Sequence, residues 1–282
     1  MHFATTKDAL AWAAQQLAQA GIANARREAG WLLEHVLRVP AGTLSTISQA
    51  VLTPAQNTAI IAVVQRRARR EPLQYLLETV DFAGVTMRVT PAALIPRPET
   101  ELLVDHAAAA VNRAVPLQCA DLGTGSGCIA IALATRLPHS RWWACDLSAD
   151  ALQLATANAQ RNQCADRISF CCGDFWEALP PNLTFDLVTA NPPYVANDTT
   201  LEPELHYEPA LALFSGADGL AAYRAIFAQL AAHLKPGGVF VGEIGFDQAK
   251  AVAAVSRHAG LPAPEIFKDA GGHARIIFMR SQ

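Results

Sequence analysis

The residues Asn191-Pro192-Pro193-Tyr194 follow directly on the apolar run Phe185-Asp186-Leu187-Val188-Thr189-Ala190. Each proline holds its own φ at about −65° and pushes the residue before it into an extended conformation. Asn191 therefore cannot relax into a helix, and the backbone aims its side chain. An Asn amide carries one acceptor oxygen and two donor hydrogens. At a strand end, followed by an aromatic ring, it makes a rigid polar slot beside a flat apolar wall. Such a slot suits a planar amide or an exocyclic amino group. The same four residues also satisfy a plain strand-terminal turn, because Asn-Pro and Pro-Pro are ordinary loop punctuation.

A second group of residues narrows the choice. Asp121-Leu122-Gly123-Thr124-Gly125-Ser126-Gly127 joins an apolar run to an alanine-rich helical run. Glycines let the backbone approach a ligand closely, and a helix start presents free N–H groups. A dinucleotide fingerprint requires G-x-G-x-x-G, whereas Cys128 stands at its sixth position here, so the spacing departs from a nicotinamide or flavin site. Asp146 ends the next apolar run, where a carboxylate can accept both hydroxyls of a ribose; Asp174 and Phe175 end the third, where an adenine can be edged and stacked. Asp121 opens the glycine loop, close to where a cationic ligand group would lie. These residues describe a pocket for an adenosine with a cationic tail and no phosphate. S-adenosylmethionine meets that description.

These groups must be carried on a scaffold. From residue 118 onward, strand-like runs at 118–122, 141–146, 168–172, 185–190 and 238–244 alternate with helical runs at 127–137, 149–162 and 219–233. A helix near 247–258 and a last strand at 274–279 follow. Near-continuous apolar strands separated by helices predict a parallel α/β sheet covered on both faces, doubly wound, with ligands at the carboxyl ends of the strands. Residues 1–73 read instead as a small all-helical bundle: Lys7–Gln19, Ala25–Leu37, and a third helix opened by the cap Thr53 and Pro54. Between them, residues 74–98 read as a short hairpin over 82–89 and a stiff connector with Pro91, Pro96 and Pro98. Residues 99–282 form the expected catalytic domain, entered by a helix from Glu99 to Asn112.

The composition, 51% apolar and 17% charged over 282 residues, is that of a globular protein with a substantial core. No apolar run approaches the roughly 18 residues of a membrane helix, and no signal peptide is evident, so a cytoplasmic protein without a membrane partner is expected. The net charge of −3 argues against a dedicated nucleic-acid binder, and no stable nucleic-acid partner is expected. The charge is uneven, with eight Lys/Arg against four Asp/Glu in residues 1–71. Within that segment Arg66, Arg67, Arg69 and Arg70 suit either an anionic partner or a solvated helix end. The six cysteines show neither a C-x-x-C pair nor a His at ligand spacing, so neither a metal nor a disulfide is expected.

The order D-L-G-T-G-S-G, Asp146, Gly173-Asp174-Phe175 and Asn191-Pro192-Pro193-Tyr194 resembles the class I S-adenosylmethionine methyltransferases that modify a planar nitrogen. More narrowly, Arg70-Glu71-Pro72-Leu73-Gln74-Tyr75-Leu76 and Leu94-Ile95-Pro96-Arg97-Pro98-Glu99-Thr100-Glu101 resemble the release factor glutamine methyltransferases, the HemK/PrmC family. The resemblance implies a Rossmann-like, mostly parallel seven-stranded sheet. It implies methyl transfer from S-adenosylmethionine to the side-chain nitrogen of the glutamine in the Gly-Gly-Gln motif of peptide chain release factors, with the helical domain docking that partner. The expected cofactor residues are Asp121, Gly123, Thr124, Gly125, Ser126, Gly127, Asp146, Asp174, Phe175 and Asn191. Asn191, Pro192 and Tyr194 are the expected catalytic group, joined by Pro193 in substrate binding. The rival reading is an N-methyltransferase acting on adenine or guanine in DNA or RNA, where Tyr194 would stack on a flipped base. Two stretches depart from the family pattern: Leu77-Glu78, where relatives usually carry a glycine, and the loop 270–275.

Overall fold

The computed structural model describes residues 2–282. The chain divides into two compact units, Met1–Thr79 with Leu201–Tyr207, and Val80–Thr200 with Glu208–Gln282.

In the first unit, α1 (Thr6–Gln19), α2 (Ala25–Leu37), α3 (Pro54–Ala68) and the short α4 (Leu73–Leu77) enclose a core of Ala9, Ala13, Leu17, Leu32, Leu33, Ile60 and Val64. Thr5 and Thr53 close capping boxes with Asp8 and Gln56, satisfying the first amides of α1 and α3. The arginine cluster proves to be divided. Arg67 is buried, and its guanidinium pairs with Glu28 at 2.6 Å and Glu204 at 3.2 Å. Arg70 also pairs with Glu204, at 2.9 Å, and the Tyr207 hydroxyl donates to the Arg69 carbonyl. Glu204 thus ties Leu201–Tyr207 onto α3, so two of the four arginines serve the interior of this unit. At the end of α4, Glu78 adopts a left-handed conformation with φ +63°, the backbone state a glycine takes without strain.

In the second unit, the hairpin β1 (Thr79–Phe82) and β2 (Val85–Arg88) turns through Ala83 and Gly84, both at positive φ. A 3₁₀ turn over Pro98–Thr100 leads into α5 (Glu101–Ala110), which is shorter at both ends than the helix expected from sequence. Then come β3 (Leu117–Leu122), α6 (Cys128–Arg136), β4 (Ser140–Asp146), α7 (Ala149–Arg161), β5 (Ile168–Cys172), β6 (Phe185–Ala190), α8 (Ala221–His233), β7 (Leu234–Glu243), α9 (Ala249–His258), β8 (Glu265–Lys268) and β9 (Ala274–Arg280). The large sheet has seven strands in the order β5-β4-β3-β6-β7-β9-β8, parallel except for β9, which runs antiparallel to both neighbours. β8 was not legible from periodicity: four residues at a sheet edge, three of them exposed or charged, carry no apolar alternation. Two apolar layers cover the faces, one around Trp142 and Leu133, the other around Phe227 and Phe240. No helix among the described residues is long and apolar enough to cross a membrane.

The strand order reverses beside β3, and parallel register sets three strand ends level there. Leu122 pairs with Ala190 of β6, which pairs in turn with Gly242 of β7. One step further, Gly123, Asn191 and Glu243 emerge together. This is the crevice where doubly wound sheets bind ligands.

Candidate active site

A cavity of about 370 Å³ opens at this crevice. Gly123 and Gly125 form part of its wall, Asp146 and Asp174 stand beside them with Phe175, and Asn191 and Pro193 close it. No Lys, Arg or His lies among the lining residues, while two carboxylates do. A phosphate would find no counter-charge there. An adenosine with a cationic tail would find acceptors and no repulsion.

The loop is shaped by its glycines and by polar groups beneath it. Gly123, Gly125 and Gly127 take φ of +70°, +55° and +83°. A Cβ at Gly127 would lie 3.0 Å from Ile131 Cδ1 and 3.1 Å from Ala155 Cβ, so this glycine serves helix packing rather than a ligand. Asp146 accepts the Gly125 N–H at 2.8 Å and the Ser148 N–H at 2.9 Å, one on each oxygen. Burial pushes this carboxyl up, against the pull of those two amides. Each oxygen keeps a further lone pair for a hydroxyl donor.

Asp121, expected beside a cationic ligand group, is fully buried and lies outside the cavity wall. Its carboxylate accepts the Thr124 hydroxyl at 2.6 Å and the Thr189 hydroxyl at 2.8 Å. Burial raises it to about 6 despite those bonds. Asp121 therefore acts on the loop, with Thr124 as its partner. Ser126 is also buried, and its carbonyl accepts Asn158 Nδ2 at 3.0 Å. The same Asn158 amide group donates to the Arg88 carbonyl and accepts the Arg88 N–H, binding the hairpin end to the loop. Sequence reasoning missed Asn158, because a lone Asn within a helical run carries no local signal.

Phe175 has φ +36°, a strained value for a bulky residue, in a segment that lines the cavity. Its ring lies 3.7 Å from where a Gly123 Cβ would stand. The ring edge thus lies against the bare glycine backbone.

Around the slot, Asn191 and Pro193 face the cavity, Pro192 is buried behind it, and Tyr194 lies outside its lining. Asn191 Nδ2 donates to the Thr100 hydroxyl at 3.2 Å, and that hydroxyl donates to Glu243 Oε2 at 2.6 Å. Burial first, then the nearby Glu243, push the Tyr194 hydroxyl up to about 12. The Tyr194 carbonyl accepts Gln248 Nε2 at 2.9 Å, and Gln248 Oε1 accepts the Gly245 N–H at 3.0 Å. Thus the amide of Gln248 clamps the turn from outside. Glu208 does the same for the segment before α5: it accepts the Ile95 N–H at 2.9 Å and pairs with Arg97. None of Thr100, Glu208, Glu243 or Gln248 was singled out as a site residue from sequence. For Glu208 a signal existed, since Glu208-Pro209 begins an aperiodic run whose residues 209–216 return to the cavity wall.

A seven-stranded sheet with one antiparallel strand near its edge, a glycine loop after β3 and a polar slot after β6 defines a class I methyltransferase. Comparison with solved structures agrees on the fold: the catalytic domain of hMettl16 in complex with a 3′UTR hairpin superposes with a TM-score of 0.56 at 18% identity, over 77% of this chain and 80% of that one. A Pyrococcus furiosus methyltransferase gives 0.52 at 15% identity, over 70% of this chain and 89% of that one. Residues 8–77 match the PrmC N-terminal domain, and residues 98–207 match the methyltransferase small domain. Release factor glutamine methyltransferases from Geobacter sulfurreducens and Cereibacter sphaeroides are 38% and 40% identical to this chain, which they cover to 97%, with 95% and 97% of their own lengths aligned. The chain belongs to the release factor glutamine methyltransferase family.

Proposed function

We infer that this enzyme transfers a methyl group from S-adenosylmethionine to the side-chain nitrogen N5 of the glutamine in the Gly-Gly-Gln motif of peptide chain release factors. The observation that carries the reading is the cavity wall itself: two carboxylates, no cation, and the Asn191 amide at its end, held through Nδ2 so that Oδ1 is left to accept. Asp146 would hold the ribose, Asp174 and Phe175 the adenine, and Gly123 and Gly125 the close approach of backbone to ligand.

Bound S-adenosylmethionine supplies a methyl group activated by a sulfonium. A glutamine nitrogen is a poor nucleophile because its lone pair is delocalised into the carbonyl, so the chain's contribution is alignment. Asn191 Oδ1 accepts one N–H of the substrate amide, and the Pro192 carbonyl accepts the other. Pro193 lines the cavity and would bound the planar group, while Tyr194, outside the lining, would hold the turn that carries Asn191. Orientation of this kind lowers a barrier by roughly 7–11 kcal/mol in favourable cases. The helical unit, residues 1–79 with 201–207, would dock the protein substrate, and residues 80–200 with 208–282, which include the hairpin, would form the catalytic part. Acting on the translation machinery, the enzyme would work in the cytoplasm.

Incubating the purified chain with methyl-labelled cofactor and a release factor, its Gln-to-Ala loop variant, RNA and DNA tests this directly. Label is expected on the intact release factor and absent from the loop variant. Label confined to nucleic acid would overturn the assignment.

A further inference from the structure

Thr100 and Glu243 are separated by 143 residues, yet their side chains meet, and Thr100 in turn holds Asn191. The hydrogen bonds between them have a direction. Thr100 has a single hydroxyl proton, and it is committed to Glu243 Oε2 at 2.6 Å, a length typical of a bond to an ionised acceptor. Only lone pairs remain on that oxygen, so it can receive an N–H and cannot offer one. Asn191 consequently turns Nδ2 toward Thr100, and its oxygen takes the opposite side.

The two ends of an Asn amide are nearly the same size, so packing alone does not choose between them. Hydrogen-bond polarity chooses. We propose that Thr100 and Glu243 are positioning residues for methyl transfer: the Glu243 carboxylate sets the direction of the chain, so that Asn191 presents Oδ1 to the accepting nitrogen, and protonation of Glu243 reverses it. This rests on the reading of Asn191 given above. With Glu243 neutral, its hydroxyl can donate to Thr100, whose own proton is then free to point at Asn191. The amide turns over and offers two hydrogens to a substrate that also brings hydrogens.

Glu243 is placed for such a role. It is 1% exposed, and its backbone carbonyl accepts the Tyr223 hydroxyl, which fixes the strand end. Arg97 and Glu99 before α5, Arg275 of β9, Tyr194 after β6, Tyr223 of α8 and Cys128 of α6 are the charged and titratable groups around it. Burial drives its carboxyl up to about 7; the Thr100 hydroxyl and Arg275 oppose the rise, and Glu99 adds to it. The group therefore changes charge in the range where the enzyme would work.

The test uses Thr100→Val, Thr100→Ser and Glu243→Gln in the full chain. Thr100→Val keeps the shape and removes the hydroxyl; a fall in kcat of about tenfold or more is expected, with cofactor affinity within about twofold of wild type. Thr100→Ser should recover most of the loss. Wild-type kcat should fall on the acid side with a midpoint near 7, and Glu243→Gln should lose that limb. Unchanged turnover in Thr100→Val, failure of Thr100→Ser to recover it, or an acid limb that persists in Glu243→Gln refutes the relay. A second readout needs no turnover: the side-chain amide resonances of Asn191, identified by their loss in Asn191→Ala, should titrate with the Glu243 carboxyl and stop titrating in Glu243→Gln. If no label reaches a release factor, the assignment of substrate fails while this titration still decides the relay. Asn191 resonances that do not move with pH would overturn it.

Discussion

Gly219 stands where the fold allows nothing larger. It has φ +72°, and a Cβ there would lie 2.3 Å from the Tyr194 carbonyl oxygen, 3.1 Å from the Tyr194 carbonyl carbon and 2.8 Å from Gln248 Nε2. The first two atoms are backbone, so Gly219→Ala cannot be relieved by rotating a side chain. A left-handed alanine costs about 1–2 kcal/mol. Forcing the contact apart adds about 1–3 kcal/mol, and losing the 2.9 Å bond from Gln248 to Tyr194 adds about 1 kcal/mol. A total destabilisation of about 3–6 kcal/mol is expected in guanidinium unfolding at constant m-value. The proper control is Gly84→Ala in the hairpin turn, where φ is +91° and a Cβ meets nothing within 4 Å; it should cost only the conformational part, about 1–2 kcal/mol. The turn that moves in Gly219→Ala also carries Asn191, and a displacement of about 1 Å at a positioning group can cost on the order of a hundredfold in rate. Turnover should therefore drop at temperatures where the variant remains folded. Equal stability losses in the two variants, or native kcat in Gly219→Ala, would refute the claim that this close approach holds the slot.

Four further outcomes can be measured. Asn191→Ala should keep cofactor affinity and lose most of kcat, because its contact strengthens at the transition state; intact turnover with weakened affinity would contradict its role. Asp146→Ala removes the acceptor of the Gly125 and Ser148 amides and should weaken cofactor binding by about tenfold or more in calorimetry, with native affinity as the adverse result. Glu78→Gly should stabilise the protein by about 0.5–1 kcal/mol, since φ +63° strains Glu and not Gly; a lower unfolding midpoint would show that the Glu78 side chain contributes more than its backbone costs. The last concerns pH. A carboxyl raised from 4.5 to about 7 gives stability that is complete below pH 4.5 and lost as pH climbs through 7. Hence Glu243→Gln should gain on wild type by about 2–3 kcal/mol between pH 5 and pH 8, at 1.36 kcal/mol per pH unit; a difference that stays flat with pH would count against a buried, raised Glu243.

The parts of this site that could be read from sequence are those whose constraint is local. Glycines at positive φ, two prolines after an Asn, and Asp146 and Asp174 at or just past the ends of β4 and β5 all declare themselves within a few positions. Thr100, Asn158, Glu243 and Gln248 impose nothing on their neighbours. Each matters through a partner far along the chain, and the register of β3, β6 and β7 is what brings Gly123, Asn191 and Glu243 level. Asp121 shows the same limit from the other side. Its position at the loop was legible, but which way its carboxylate faces depends on Thr189, which stands opposite it in β6. The Arg66–Arg70 run could not be resolved into partner-facing and interior residues for a like reason: Glu204, which claims Arg67 and Arg70, lies more than 130 residues away. Charge in a sequence indicates how many ions must be satisfied, and only the fold decides whether a ligand, a partner or the protein's own interior satisfies them.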